Sequence, residues 1–168
     1  GGSGGAVDPV QAVGPVGATG SVRVNVQAVF GQPVRVEFGT TITDAVVVLT
    51  GTTMRTDSPY LLRVVSRDAT GFSFVVDGWD YQSALISRFE VINWVAVAAG
   101  VHVLEDGRVI EAGTVLADRT QGAVQFAAPF TGGAPVVVTS VMSAMGGAAV
   151  DSDPVDVTTT GFAARLQT

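Results

Sequence analysis

Residues 21–29 read Ser-Val-Arg-Val-Asn-Val-Gln-Ala-Val. Val22, Val24, Val26 and Ala28 fall on one face of an extended chain, and Arg23, Asn25 and Gln27 on the other. A period of two is the mark of a half-buried strand, because successive side chains of a strand point to opposite faces. The same alternation returns after Gly31-Gln32-Pro33, where Val34, Val36 and Phe38 lie inside and Arg35 and Glu37 outside. Ala45 to Leu49 is a short apolar run suited to a strand buried on both faces. Leu61 to Val65 and Phe72 to Val76 follow, joined by Arg67-Asp68-Ala69-Thr70-Gly71, a turn composition.

Further along, Ser83 to Ala99 lacks glycine and proline, and Leu85, Phe89, Ile92, Val95 and Ala99 would share a helical face. Its β-branched and aromatic content (Phe89, Val91, Ile92, Trp94, Val95, Val97) favours a strand instead. Glu105-Asp106-Gly107 between Val101–Leu104 and Arg108–Glu111 is a hairpin signal, with Asp-Gly supplying the turn. Val124–Phe126, Pro135–Val141, Val155–Val157 and Phe162–Leu166 complete the expected strands. No helix is required, and the class is all-β.

The chain also repeats itself. Asp68-Ala69-Thr70-Gly71-Phe72 is answered ninety residues on by Thr158-Thr159-Thr160-Gly161-Phe162, and Asp44–Val48 by Ala134–Val138. Phe38 in Val-Arg-Val-Glu-Phe is answered by Phe126 in Gly-Ala-Val-Gln-Phe, the two-residue difference being taken up by Gly132-Gly133. The expected organisation is therefore a Gly/Pro-rich linker or arm over 1–19, a first unit over 20–100 and a second, truncated unit over 101–168. Both units read as antiparallel β-sandwiches of jelly-roll type. The second stops after its Thr-Gly-Phe strand, with no counterpart of Trp79 or of the 89–97 segment, so the strands that close it are expected from further chain, from the first unit or from a neighbouring molecule, an open sheet edge being an aggregation hazard.

Composition narrows the function classes. The chain has 168 residues and no cysteine, which removes disulfide frameworks, zinc ribbons and thiol nucleophiles. All nine basic residues are arginine, the net charge is −6, and there is no basic run, so a nucleic-acid partner is not expected. No apolar run is long enough for a membrane span, and the Gly-Gly-Ser-Gly-Gly start is not the n-region of a signal peptide. With 14% charged residues the surface is weakly charged, and arginine suits packed contacts better than lysine, which favours self-association.

The order Val36-Glu37-Phe38, Ala45–Val48, Arg63, Thr70-Gly71-Phe72, Trp79 and Trp94-Val95-Ala96 resembles the H-type lectin module. Residues 122–166 repeat its first part, and the Gly100–Arg108 hairpin is similar to those of long secreted bacterial repeat proteins. The resemblance implies a six-stranded antiparallel sandwich, often trimeric, that binds sugars at subunit interfaces. It places Arg63 where an arginine contacts sugar hydroxyls, and Trp79, Asp80 and Tyr81 in the segment of aromatic and polar contacts. Asp44 is a candidate for the early acidic contact. The second unit departs from this pattern, with Asp153 in place of Arg63.

On the residues themselves, Trp79-Asp80-Tyr81 is where aromatic planes and a carboxylate crowd together outside an obvious core strand. That combination suits a sugar's C–H face and hydroxyls, and it equally suits a capped sandwich edge. His102 is the sole histidine, so neither a histidine metal cluster nor a catalytic triad assembles. Asp151, Asp153 and Asp156 supply too few oxygens for calcium by themselves. No nucleotide loop or nucleophile-elbow motif is present, and no cofactor is expected. The expectation is a non-enzymatic extracellular bacterial module that binds a surface glycan or polysaccharide through Arg63, Trp79, Asp80 and Tyr81. The alternative is a structural subunit of a fibre, filament or phage-like spike, completed by strands from its neighbours.

Overall fold

The computed structural model describes residues 16–51, 53, 55, 59–79, 81, 85–142 and 150–167. The expected arm therefore lies largely outside the described residues, and Asp80 does too. The described residues form strands β1 (Gly17–Asn25), β2 (Val34–Glu37), β3 (Ala45–Gly51), β4 (Tyr60–Arg67), β5 (Gly71–Gly78) and β6 (Phe89–Ala98). A hairpin follows, β7 (Gly100–Val103) and β8 (Val109–Ala112), and then β9 (Gly122–Gln125), β10 (Asp151–Val155) and β11 (Gly161–Gln167). No helix occurs among them, and the chain is all-β.

The first six strands make two three-stranded antiparallel sheets, ordered β1-β6-β3 and β2-β5-β4. Their inner faces enclose one core, with Val24, Val26, Val47, Val64, Phe72, Phe74, Val76, Ile92, Trp94 and Ala96 all buried. Trp94 on the central strand β6 stands over Phe38 and Phe72, with ring centroids 5.8 and 5.7 Å away. That contact explains why β1 starts at Gly17 and runs through residues whose glycines read as a linker. A Cβ at Gly20 would lie 2.6 Å from the Trp94 ring, so the indole needs the missing side chain. At the other end β1 stops at Asn25, whose Oδ1 accepts hydrogen bonds from the Gln27 and Ala28 amides and turns the chain. The expected strand over 21–29 is thus shifted towards the N-terminus. The ambiguous 83–99 segment resolves as β6, a strand, because its alternating Glu90, Ile92, Trp94 and Ala96 all point inward and are buried.

The second half rebuilds one sheet of the first. β10-β11-β9 is antiparallel, and its register copies the earlier one except at Val155, where the first sheet has a bulge between Val64 and Ser66. Val36 faces Phe72 as Val124 faces Phe162, and Arg63 faces Val75 as Asp153 faces Arg165. Turn bonds repeat too: the Phe38 amide donates to Thr70 O and the Phe126 amide to Thr160 O, at 2.8 and 3.0 Å. Likewise the Ile42 amide donates to Ala69 O and the Phe130 amide to Thr159 O, each at 2.8 Å. Phe126 and Phe162 lie 5.8 Å apart and tilted by 38°, close to the 5.9 Å and 31° of Phe38 and Phe72.

The opposing sheet is not rebuilt. The expected strand over Pro135–Val141 is corrected: 134–140 carries no strand, and only Val141 makes an isolated bridge, to Arg63. A strand requires a partner, and β3, its counterpart, is held by the central strand β6. Instead the end of this segment seals the first sandwich between β3 and β4. The Leu49 amide donates to Ser140 Oγ at 2.8 Å, the Val64 amide donates to Val141 O at 3.0 Å, and Met142 packs on the core.

Candidate functional site

Strand alternation decides which side chains of the first unit look outward. On β5, Phe72, Phe74 and Val76 are buried inward, so Ser73, Val75 and Asp77 belong to the outer face, and Trp79 follows the end of the strand. On β4, Leu62 and Val64 pack on the core, which puts Arg63 on the outer face, opposite Val75. Trp79 follows the end of β5, four residues on from Val75, the cross-strand partner of Arg63.

Their exposures differ. Tyr81 is 77% exposed, Trp79 is half-buried, and Arg63 is only 6% exposed, with Val141 bridged to it. Of these residues only Tyr81 is largely open to solvent. Asp80, the fourth expected residue, lies outside the described residues.

The same end of the sandwich holds two groups that sequence reading missed. Glu90, at the start of β6, is fully buried. Its carboxylate accepts hydrogen bonds from the Thr53 hydroxyl and, at 2.7 Å, from the Arg55 amide. Thr53 Oγ1 in turn accepts from the Val91 amide at 2.8 Å, so the acid fastens the loop after β3 to β6. Tyr60 lies close by, and burial together with the Glu90 charge pushes its phenol above the ordinary range. The inward half of the β6 alternation was the available signal: a carboxylate in step with Ile92 and Trp94 must be buried and bonded.

At the opposite end, a shallow recess of about 260 Å³ is lined by Asp44, Ala45, Arg67, Asp68 and Ala69. Arg67 Nη1 is 3.2 Å from Asp44 Oδ1 and also donates to the Ala45 carbonyl. Asp44 takes a positive φ of 49°. Beside it, Arg35 pairs with Glu37 at 2.8 Å and with Asp68 at 2.9 Å. Hydrogen bonds from Arg35, and then from Thr70, hold the Asp68 carboxyl well below the usual carboxylate range; the Arg35 hydrogen bond likewise lowers Glu37. Asp44, the candidate acidic contact, is thus in this recess and not beside Trp79. His102 is half-buried, with Nε2 2.7 Å from Ala98 O.

Among the described residues no group of three or more His, Cys, Asp or Glu side chains is arranged to hold a metal ion. No helix of the described residues is long and apolar enough to cross a membrane. Compared with known proteins, the chain matches no family model, no curated protein and no solved structure.

Proposed function

We propose that this chain is a non-enzymatic, extracellular adhesion module that binds surface glycan at the Trp79 end of its first sandwich. The observation that carries this reading is an exposed Tyr81 close in sequence to a half-buried Trp79, just beyond the end of β5, the strand paired with the β4 of Arg63. Aromatic planes at a rigid strand end stack on the C–H faces of sugar rings, while phenol and indole N–H groups bond to hydroxyls. The H-type lectin resemblance adds to this reading on its own residues. Because Arg63 is buried, Tyr81 and Trp79 are the residues that a ligand contacts first.

A glycan array probed with the labelled chain tests it. Binding to a restricted set of glycans, reduced at least about tenfold by Tyr81→Ala with an unchanged melting temperature, is expected, since an exposed side chain contributes little to folding. Absence of glycan binding, or binding indifferent to both Tyr81→Ala and Trp79→Ala, would overturn it.

A second reading, a self-assembling structural subunit, is favoured by a different observation. In the second half Val136 is 91% exposed, Val138 62% and Leu116 95%. Large apolar side chains left exposed favour contact with another surface. Sedimentation of the chain over a range of concentrations tests this reading: concentration-dependent oligomers are expected, and a monomer at every concentration contradicts it.

A further inference from the structure

An unpaired strand edge recruits other chains, and folded proteins guard such edges with short strands, proline or a covering segment. Most edges of this molecule are guarded in one of those ways. β2, β7, β8 and β9 are four residues long, and β10 carries Pro154. β3 and β4 are covered by Ser140 and Val141. β1 is the exception: nine residues without proline or bulge, and with no neighbouring strand other than β6 among the described residues. Its free groups can be named. The Val26 amide donates to Arg88 O at 3.0 Å and the Ala98 amide to Val16 O at 2.8 Å, both in register with the β1–β6 ladder. Antiparallel strands alternate bonded and non-bonded pairs, so the even-numbered residues of β1 direct their amides and carbonyls to β6. Those of Gly17, Thr19, Ser21 and Arg23 point the other way. Thr19, Ser21 and Arg23 are exposed, and Arg23, the one charge on the strand, sits 4.0 Å over the Phe89 ring of its own sheet.

We propose that this edge pairs with the same edge of a second copy of the chain, antiparallel about a two-fold axis at Ser21, joining two three-stranded sheets into one. The strand fits itself in that register. On the inner face Val22 would stand opposite Gly20 of the partner subunit, and Val24 opposite the partner's Ala18, large against small. On the outer face Ser21 would meet its own copy and Arg23 the partner's Thr19, so the two guanidinium groups are not opposed. Sliding the register by two residues sets Gly20 against Gly20 in one direction and brings the two arginines closer in the other. Charge favours a second copy as well. By strand alternation no carboxylate belongs to the outer faces of β1, β6 and β3, so two chains of net charge −6 would meet where neither presents one. The inference rests on the self-assembly reading, gives it an interface in the first unit, and is independent of glycan binding.

Because the chain has no cysteine, Ser21→Cys reports the contact directly. Directly opposed Cα atoms in such a ladder lie about 5.5 Å apart, within disulfide reach. Under mild oxidation the Ser21→Cys chain should form a covalent dimer at least about tenfold faster than a Thr50→Cys chain, altered at an exposed position of β3. In the unaltered chain, exchange of the Thr19, Ser21 and Arg23 amides should slow at least about tenfold as the dimer fills. Ser21→Pro removes only an outward amide, which an edge strand tolerates, and Ser21→Lys opposes two like charges. Each should abolish the dimer, Ser21→Lys with an unchanged melting temperature of the dilute chain. Equal cross-linking of the two cysteine chains, or a dimer that survives Ser21→Lys, overturns this interface and leaves assembly through another surface standing. Slow exchange of those amides at every concentration also overturns it, the edge then being covered within one chain. A monomer at every concentration sinks both the interface and the assembly reading.

Discussion

A methyl group at Gly71 would lie 2.2 Å from the Val36 carbonyl oxygen, and one at Gly161 the same distance from Val124 O. The Thr-Gly-Phe motif is therefore a packing requirement, glycine admitting the neighbouring strand's carbonyl before the phenylalanine turns inward. Gly71→Ala should cost about 1–3 kcal/mol in denaturant unfolding, the range for overpacked sites. Gly161→Ala should cost less, because the sheet around it is open on one face. Glu90 makes the converse case. Glu90→Ala would leave the Arg55 amide and the Thr53 hydroxyl without their acceptor, and a loss of about 1–3 kcal/mol is expected. The Arg35 network sets a pH dependence. Asp68 and Glu37 have folded values below their unfolded ones, so their contribution is complete above about pH 4–5 and fades as pH falls further. Melting followed by circular dichroism should be flat from neutral pH down to that range and then decline. Arg35→Gln should make the decline shallower.

At the level of elements, the strands of the first unit were legible because alternation and turn chemistry agreed with the final packing. β2, β5 and the β7–β8 hairpin have the bounds that their patterns suggest, within two residues. Pro135–Val141 shows where such reading stops. Its pattern matches that of β3, but a pattern specifies which face is apolar and cannot provide the partner that completes the ladder. The start of β1 was illegible for the opposite reason: its glycines signal a linker locally, and only the position of Trp94 makes them part of a strand. At the candidate site, the sequence marked Trp79 and Tyr81 as aromatic residues outside a core strand, and the structure leaves Tyr81 exposed and Trp79 half-buried. The burial of Arg63 was not legible, since alternation alone assigns it to the outer face of β4. The contrast between covered and uncovered sheets is measurable. Phe72→Ala should cost about 3–5 kcal/mol, the range for a buried phenylalanine, and Phe162→Ala under about 2 kcal/mol.

For the molecule as a whole, one complete sandwich carries the core, and half of a second copy is attached to it through Ser140–Met142. Absent lysine, low charge and exposed valines in that second half belong together in an account in which it meets another polypeptide. The first half, with its closed core and rigid strand ends, is the part suited to presenting Trp79 and Tyr81. The central claim is that the second half repeats the β2-β5-β4 sheet of the first while 134–140, the counterpart of β3, stays outside any sheet. Hydrogen–deuterium exchange on the dilute monomer tests that claim most directly. Amides of β5 and β6 should be strongly protected, while those of 134–140 exchange nearly as fast as an unstructured chain. Protection over 134–140 equal to that of β3 would contradict it.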